Sequence, residues 1–121
     1  MNTQRTWIII SGITGFLGVA AGAFGAHTLK AQLSAEMLEI FKTGVLYQLI
    51  HSAVMLSVAL SGIQKYLSSE IFFLTGIILF SFSLYLYSAT GFKFFAMITP
   101  VGGIFFLTGW VMLILKALKQ Q

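Results

Sequence analysis

The sequence predicts an all-α membrane protein: four transmembrane helices in an up-down bundle, with an interfacial amphipathic helix between the first and second spans. Hydrophobic residues make up 58% of the 121-residue chain and charged residues only 8%, against roughly one quarter charged residues in soluble domains. The apolar residues gather in four runs of about 20 residues, and each run is long enough to cross the roughly 30 Å hydrocarbon core as a helix. No run carries the polar stripe of a water-facing helix. We therefore predict one domain, residues 1–121, with spans at about residues 7–26, 44–63, 71–90 and 94–115.

The first apolar run also resembles a secretory signal. Arg5 precedes it, and the small residues Ala21, Gly22 and Ala23 follow near its end, as at a signal-peptidase site. The run is longer than an ordinary signal core. We therefore expect a retained transmembrane span, with cleavage as the alternative.

An amphipathic segment connects the first two spans. Its apolar residues recur every three or four positions, as on one face of a helix, and they are Leu29, Leu33, Met37, Ile40 and Phe41. Charged and polar residues lie between them, which predicts a helix in the membrane interface. Ser34 is the predicted N-cap, and a helix that begins there has room to continue into the second span.

The remaining connections are short, so neighbouring spans are predicted to be antiparallel and both termini to lie on one side, called side A. The basic residues on side A are Arg5, Lys65, Lys116 and Lys119, and those on the opposite side, side B, are Lys30, Lys42 and Lys93. The positive-inside rule then predicts cytoplasmic termini in the cytoplasmic (inner) membrane. Because these cations are scattered singly between apolar runs, we expect the lipid bilayer as partner and no nucleic acid.

Small residues predict how the helices pack. Gly15, Gly18 and Gly22 share a face of the first span, which allows close approach of another helix, either in the same bundle or in a dimer. In the fourth span, Pro100 precedes Gly102 and Gly103. Proline removes a backbone donor and clashes with the preceding turn, so we expect a kink or a broken start there.

Polar residues within the spans, together with His27 at the side B surface, form the candidate ligand-binding site. These residues are His27, Tyr47, Gln48, His51, Tyr85 and Thr99. Counting from the predicted span ends places all of them in the half of the membrane toward side B, as a vestibule. His51 is the one strongly titratable side chain within a span, because all three acids are assigned to connections. An intramembrane ionisable group indicates function, although a neutral imidazole with one hydrogen bond to Tyr, Thr or a carbonyl is the structural alternative.

Several kinds of chemistry are not expected. The chain has no cysteine, which excludes disulfides, thiolate nucleophiles and Cys-based clusters. His27 and His51 could ligate a haem or a metal, but two histidines without a nearby carboxylate or thiol are a weak signal. No nucleophile-and-base pair, phosphate loop or pair of carboxylates is present. We therefore predict no metal, no cofactor and no enzymatic activity.

Four blocks of the sequence resemble a known family. They are GAFGAHTLK (22–30), YQLIHS (47–52), FSFSLYL (80–86) and ITPVGGIFFLTGW (98–110). Together they are similar to the domain-of-unknown-function 423 family, small four-span bacterial inner-membrane proteins with eukaryotic relatives called transmembrane protein 256. The resemblance implies the same four-span fold and implies no activity. It marks Gly22, Gly25, His27, Tyr47, His51, Ser83, Leu84, Tyr85, Thr99, Pro100, Gly102, Gly103 and Trp110 as recurrent positions, and Phe82 as a departure from an expected small residue.

Three hypotheses follow for function. The first is an integral membrane protein whose vestibule binds a small ligand, a lipid headgroup or a partner helix. The second is a scaffold without ligand, recruited to a membrane-protein partner through the glycine face of the first span. The third is a small-solute transporter or channel formed by a homo-oligomer, although the spans offer no predicted carboxylate for coupling.

Overall fold

Four long helices build the protein in the computed structural model, which describes residues 2–119. They are α1 (Thr3–Leu29), α2 (Ala35–Ser61), α3 (Gln64–Thr90) and α4 (Lys93–Leu118), and each is long and apolar enough to cross a membrane. At about 1.5 Å per residue each helix is roughly 40 Å long, which exceeds the hydrocarbon core and reaches into both headgroup regions. No strand occurs among residues 2–119. The predicted all-α four-span class is confirmed.

The helix ends follow from local capping chemistry. The side chain of Asn2 accepts a hydrogen bond from the backbone N–H of Arg5 at 2.7 Å, and Ser34 caps α2 by accepting from Met37 N–H at 3.1 Å. Gly62 and Gly91 follow α2 and α3 with φ of 70° and 74°, a left-handed conformation that ends a helix and favours glycine. The predicted second span, 44–63, therefore extends two residues too far, because Gly62 has already turned the chain.

The amphipathic segment between the first two spans is continuous with the second span, as the predicted Ser34 cap allowed. Residues 35–43 are the first turns of α2, which continues without interruption to Ser61. Helix α2 is longer than the hydrocarbon core, so its first turns lie at the interface while its remainder crosses the membrane. The amphipathic pattern therefore reflects the interfacial end of a transmembrane helix.

Hydrogen bonds between helix ends establish the antiparallel order. At side A, the Gln4 side chain donates to the carbonyl of Ala59 at 2.9 Å, joining the beginning of α1 to the end of α2. Lys65 donates to the carbonyl of Lys119 at 3.2 Å, joining the beginning of α3 to the residue after α4. The described ends of the chain thus lie on one side.

Backbone packing joins helices that are consecutive in the chain: α1 with α2, α2 with α3, and α3 with α4. Helices α2 and α4 flank α3 and approach each other through side chains. Their common core is apolar and aromatic and consists of Met55, Phe73, Ile77 and Phe106. This arrangement leaves a groove between α2 and α4, with α3 as its floor.

The glycine face of α1 packs within the chain. A Cβ atom at Gly18 would lie 2.8 Å from Leu49 Cδ2, and one at Gly22 would lie 3.0 Å from Val45 Cγ1. Gly15 faces Ser52, at a looser 3.8 Å. Helix α2 therefore occupies this face, which supports the packing alternative over the dimer alternative.

A wide turn in α3 packs closely against the helices on both sides of it. Residues Ile77–Ser81 form a π-helical turn, and such turns are rare. On one side, a Cβ at Gly44 of α2 would lie 3.1 Å from the Ser81 carbonyl oxygen. On the other side, a Cβ at Gly102 of α4 would collide with the backbone at Phe80. Glycines on both neighbours thus accommodate the turn.

Pro100 does not break α4. The helix is continuous from Lys93 to Leu118 with Pro100 inside it, on an exposed position. The broken start, one of the two predicted alternatives, is therefore wrong, and the kink stays a prediction. The structure places Gly102 at the close contact with α3 and Gly103 in the groove, so Gly102 serves close helix packing.

Candidate functional site

Gln48 of α2 is the centre of a hydrogen-bond network that joins three helices. Its amide nitrogen donates to the carbonyl of Thr14 in α1 at 2.8 Å, and its amide oxygen accepts from the Tyr85 hydroxyl of α3 at 2.6 Å. Ser52 donates to the Thr14 hydroxyl at 2.8 Å. Gln48 is 1% exposed, so the bonds satisfy a polar group that would be costly to bury alone.

A second polar contact joins α3 to α4. The hydroxyls of Ser83 and Thr99 are 2.6 Å apart, and Ser83 also donates to the carbonyl of Phe80 at 2.9 Å. Two hydroxyls that bond to each other leave little capacity for a ligand. Thr99 is therefore engaged between helices, apart from the other predicted site residues.

His51 bridges α2 and α4 across the groove. Its Nε2 lies 3.1 Å from the indole nitrogen of Trp110, and its Nδ1 lies 2.8 Å from the carbonyl of Tyr47. The imidazole stacks on Phe106 with ring centroids 3.7 Å apart and an 8° angle between planes. Both ring nitrogens and one face of the ring are thus occupied by protein groups.

These two bonds determine the protonation state of His51. An indole N–H can only donate and a carbonyl can only accept, so Nε2 must accept from Trp110 while Nδ1–H donates to Tyr47. The imidazole is therefore neutral, with its proton on Nδ1. A second proton on Nε2 would oppose the Trp110 N–H, and a metal would have to displace one of the bonds. Among residues 2–119, no three His, Cys, Asp or Glu side chains group as a metal site would require.

Beside this bridge, the groove widens into a cavity of about 370 Å³, which we call the central cleft. Its walls include Tyr47, His51, Phe80, Ile104, Leu107 and Trp110, with Gly103 leaving space on α4. Ile104 and Leu107 are more than 60% exposed, so the cleft opens sideways toward lipid. Tyr85 donates its hydroxyl to Gln48, whereas the Tyr47 hydroxyl has no partner among the described residues.

The structure brings together some of the six predicted site residues and separates others. Tyr47 and His51 line the central cleft. Gln48 and Tyr85 bond to each other in the network with α1, and Thr99 pairs with Ser83. His27 is exposed on the last turn of α1, outside these contacts. The single vestibule expected from the sequence is thus divided among three interhelical contacts and one surface position.

The depth of the polar residues depends on where α2 enters the hydrocarbon core. Gln48 lies 13 residues from Ala35 and 13 from Ser61, at the midpoint of α2, and His51 lies three residues further toward side A. Because residues 35–43 are the interfacial turns of α2, the predicted count from residue 44 still applies, and the predicted depth of His51 stays a prediction.

The sequence did not predict the contact of Trp110 with His51 or the burial of Glu70. Trp110 lies in the fourth apolar run, where nothing in the pattern pairs it with His51. Glu70 was assigned to a connection, but the structure places it within α3, fully buried, with both carboxylate oxygens lacking a hydrogen-bond partner. The available sequence signal is the position of Glu70 directly before Ile71 and Phe72. An acid that begins an apolar run, with no basic residue beside it, lies at the edge of a span.

Comparison with known proteins places this fold in context. Residues 21–103 match the family described as protein of unknown function (DUF423). The chain is 37% identical to the UPF0382 inner membrane protein YgdD of Escherichia coli K12, over 98% of this chain and 94% of that protein. It is 37% identical to the UPF0382 membrane protein YwdK of Bacillus subtilis, over 96% and 98% respectively. A UPF0382 membrane protein of Haemophilus influenzae is 36% identical, over 98% of each chain. No solved structure matches the chain.

Proposed function

The chain belongs to the DUF423 family of membrane proteins, and on that premise we propose that it is a binding protein, not an enzyme, that takes a small bilayer-soluble molecule into the central cleft. The observation that carries the proposal is the cleft itself. It has aromatic walls and opens toward lipid, and one of its lining residues, Tyr47, has a hydroxyl without a partner among the described residues. Apolar cavities of a few hundred Å³ with a few polar groups are typical of small-molecule sites.

The chemistry of the walls defines the class of ligand. The Tyr47 ring lies 4.5 Å from the Phe80 ring and 6.1 Å from the Phe106 ring, centroid to centroid, so the cleft offers aromatic faces to a flat or unsaturated apolar group. The Tyr47 hydroxyl can bond to one carbonyl or hydroxyl of the ligand. A charged or strongly hydrated molecule would gain nothing from these walls.

The role of His51 in this proposal is positional. With both nitrogens bonded to protein groups, it holds Trp110 against the cleft and presents no free donor or acceptor. The ligand therefore contacts the edges of the fixed His51 and Trp110 rings and forms its hydrogen bond with the Tyr47 hydroxyl.

The experiment fills the cleft without disturbing the fold. A Cβ at Gly103 would lie 3.9 Å from its nearest neighbour, Phe80, and one at Gly12 on the lipid-facing side of α1 would have no neighbour within 4 Å. Gly103→Leu therefore places a side chain at the cleft, and Gly12→Leu is the matched control. Each protein is extracted in native lipid nanodiscs, and the co-purifying small molecules are quantified per chain by mass spectrometry.

We expect the wild type and Gly12→Leu to retain a common apolar compound that Gly103→Leu loses. Tyr47→Phe, which keeps the ring and removes the hydroxyl, should reduce the amount retained. Identical profiles in all four proteins would overturn the proposal.

The scaffold alternative receives less support from the structure. The face it requires, with Gly18 and Gly22, is packed against α2. A homo-oligomer or membrane-protein partner would have to use another surface, such as the exposed apolar side of α1 with Phe16 and Phe24, which are 72% and 73% exposed.

We further propose residence in the cytoplasmic membrane with both termini in the cytoplasm. The supporting observation is the excess of basic residues on side A, where Lys65 meets the end of α4. The chain has no cysteine, so single cysteines can report sidedness directly. An impermeant maleimide on intact cells should label Thr28→Cys on side B and leave Ser68→Cys on side A unlabelled; the reverse pattern would invert the topology.

A further inference from the structure

A cavity lies in the groove between α2 and α4 at its side A end, apart from the central cleft. Its volume is about 320 Å³. Three helices line it, with the residues Ser57, Val58 and Ser61 of α2, Tyr66 of α3, and Leu113 and Ala117 of α4. Ser57, Ser61 and Ala117 are exposed, so this cavity, which we call the side A pocket, opens sideways toward lipid.

The side A pocket lies at the boundary between the acyl chains and the headgroups. Ser61 is the last residue of α2, Ala117 is one residue from the end of α4, and Tyr66 is the third residue of α3. The helices are longer than the hydrocarbon core, so these end residues lie at the depth of the headgroups. Leu113 lies one helical turn further in, at the depth of the acyl chains. The pocket therefore spans both levels of one leaflet.

Lys65 is held in place beside the pocket. Its Nζ lies 5.3 Å from the centroid of the Tyr66 ring, and it donates to the carbonyl of Lys119 at 3.2 Å. That carbonyl follows the last turn of α4, where the helix dipole favours a cation. The ammonium group thus contacts α3 and α4 next to two walls of the pocket, Tyr66 and Ala117. An ammonium group has three donors, and the carbonyl of Lys119 takes one of them.

A second cation borders the same pocket. Lys116 follows Leu113 by three residues in the regular helix α4, so the two side chains are neighbours on its surface. The three acids of the chain lie elsewhere: Glu36 and Glu39 are at side B, and Glu70 has no exposed surface. The positive charge at the rim of the pocket is therefore available to an anion from the membrane.

We propose that the side A pocket binds one anionic phospholipid, independently of the central cleft. A segment of one acyl chain lies against the apolar walls, and the phosphate accepts hydrogen bonds from Lys65, with Lys116 adding positive charge. Basic pockets between transmembrane helices are suited to such headgroups, and charge-assisted bonds to phosphate are strong. A zwitterionic phospholipid would bring its own cation close to the two lysines and bind more weakly. Free phosphate would gain nothing from the apolar walls.

The first test titrates dioleoylphosphatidylglycerol into the full chain in detergent and counts bound lipids by native mass spectrometry. We expect one lipid to bind saturably, and more tightly than dioleoylphosphatidylcholine. Lys65→Gln should weaken this binding roughly fivefold or more, as expected for one basic residue at an anionic lipid. Lys65→Arg should retain it. Lys93→Gln, which removes an exposed cation at side B, is the matched control and should bind like the wild type. Equal weakening by Lys65→Gln and Lys93→Gln would mean general charge attraction and overturn the site.

The second test fills the pocket and leaves every charge in place. Ala117→Phe adds a ring at an exposed wall of the pocket, and Ala53→Phe adds the same ring at an exposed position of α2 outside it. We expect Ala117→Phe to lose the bound phosphatidylglycerol, while Ala53→Phe and the cleft variant Gly103→Leu keep it. Retention of the lipid by Ala117→Phe would contradict the pocket.

A competition experiment separates a lipid from a free anion. Excess inorganic phosphate should leave the bound phosphatidylglycerol in place, because the acyl chain contributes to its binding. Displacement of the lipid by inorganic phosphate would mean that the lysines bind a free anion, and it would overturn the assignment of the site to a phospholipid.

Discussion

At the centre of the bundle, the side-chain amide of Gln48 and both ring nitrogens of His51 are hydrogen-bonded, whereas at the side A end of α3 the buried carboxylate oxygens of Glu70 have no partner. Both regions place polar groups in a membrane interior, where unpaired groups are expensive. In the first region the protein supplies the partner, and the polar group stabilises the bundle. In the second it does not, and the carboxyl group of Glu70 stays buried without a hydrogen bond. The presence of a hydrogen-bond partner, more than the degree of burial, therefore distinguishes Gln48 and His51 from Glu70.

Gly102→Ala is the substitution that we expect to destabilise the centre of the bundle most. The added Cβ would collide with backbone atoms of α3 at Phe80, which cannot move aside as a side chain can. We expect a loss in the free energy of unfolding of about 3 kcal/mol or more, with α4 displaced from α3 and the His51–Trp110 bond lost. Unfolding by SDS titration, followed by circular dichroism, measures it. Gly103→Ala, one residue further, should cost little.

Removing the hub of the three-helix network is the next largest change. Gln48→Leu leaves the Tyr85 hydroxyl buried without an acceptor, which typically costs about 1–3 kcal/mol. The same titration should show this loss, and adding Tyr85→Phe should restore part of it because the orphaned hydroxyl is then gone. A double variant that is less stable than Gln48→Leu would argue against the network.

Removing the His51–Trp110 hydrogen bond between α2 and α4 should lower the free energy of unfolding by a smaller amount. We expect the His51→Phe and Trp110→Phe variants to show a coupling energy of about 0.5–2 kcal/mol in a double-mutant cycle, the range for hydrogen bonds between membrane helices. Unfolding free energies of the wild type, both single variants and the double variant give this value. Additive losses would mean that the two rings are merely neighbours.

Glu70→Gln should change stability least and thereby sharpen the comparison. The substitution keeps the shape of the side chain and removes no partner, so the free energy of unfolding should change by less than about 0.5 kcal/mol or increase slightly. A large loss in the SDS titration would mean that Glu70 makes a stabilising contact, and it would then belong with Gln48 and His51.

The sequence predicted the architecture well, because length and hydropathy alone constrain membrane helices. Four spans, the Ser34 cap and the antiparallel order all follow from local patterns. The sequence left open whether the amphipathic residues form a separate surface helix or the start of the second span, because the first turns of α2 resemble a surface helix in composition. Hydropathy cannot distinguish a helix that lies in the interface from one that begins there.

The candidate site was predicted only in part. Tyr47 and His51 were identified because polar side chains in an apolar run are conspicuous, yet their partners come from distant parts of the chain. Trp110 is 59 residues from His51, and no periodicity encodes such a pairing. Glu70 was missed because an acid at the edge of a span is normally assigned to the loop, and only the packing of α3 shows that it is enclosed.

The consecutive packing of the four helices has a consequence for biogenesis. Each helix packs mainly against the helix synthesised immediately before or after it. The helix–helix contacts can therefore form in the order in which the ribosome produces the helices. The first hairpin can close through Gly18 and Gly22 as soon as α2 leaves the translocon, and the second hairpin closes through Gly102 when α4 follows. Trp110 arrives last, and its bond to His51 fastens the final helix to one already in place. For backbone packing, synthesis and assembly thus proceed in the same direction, whereas the His51 side chain of α2 gains its partner Trp110 only when α4 arrives.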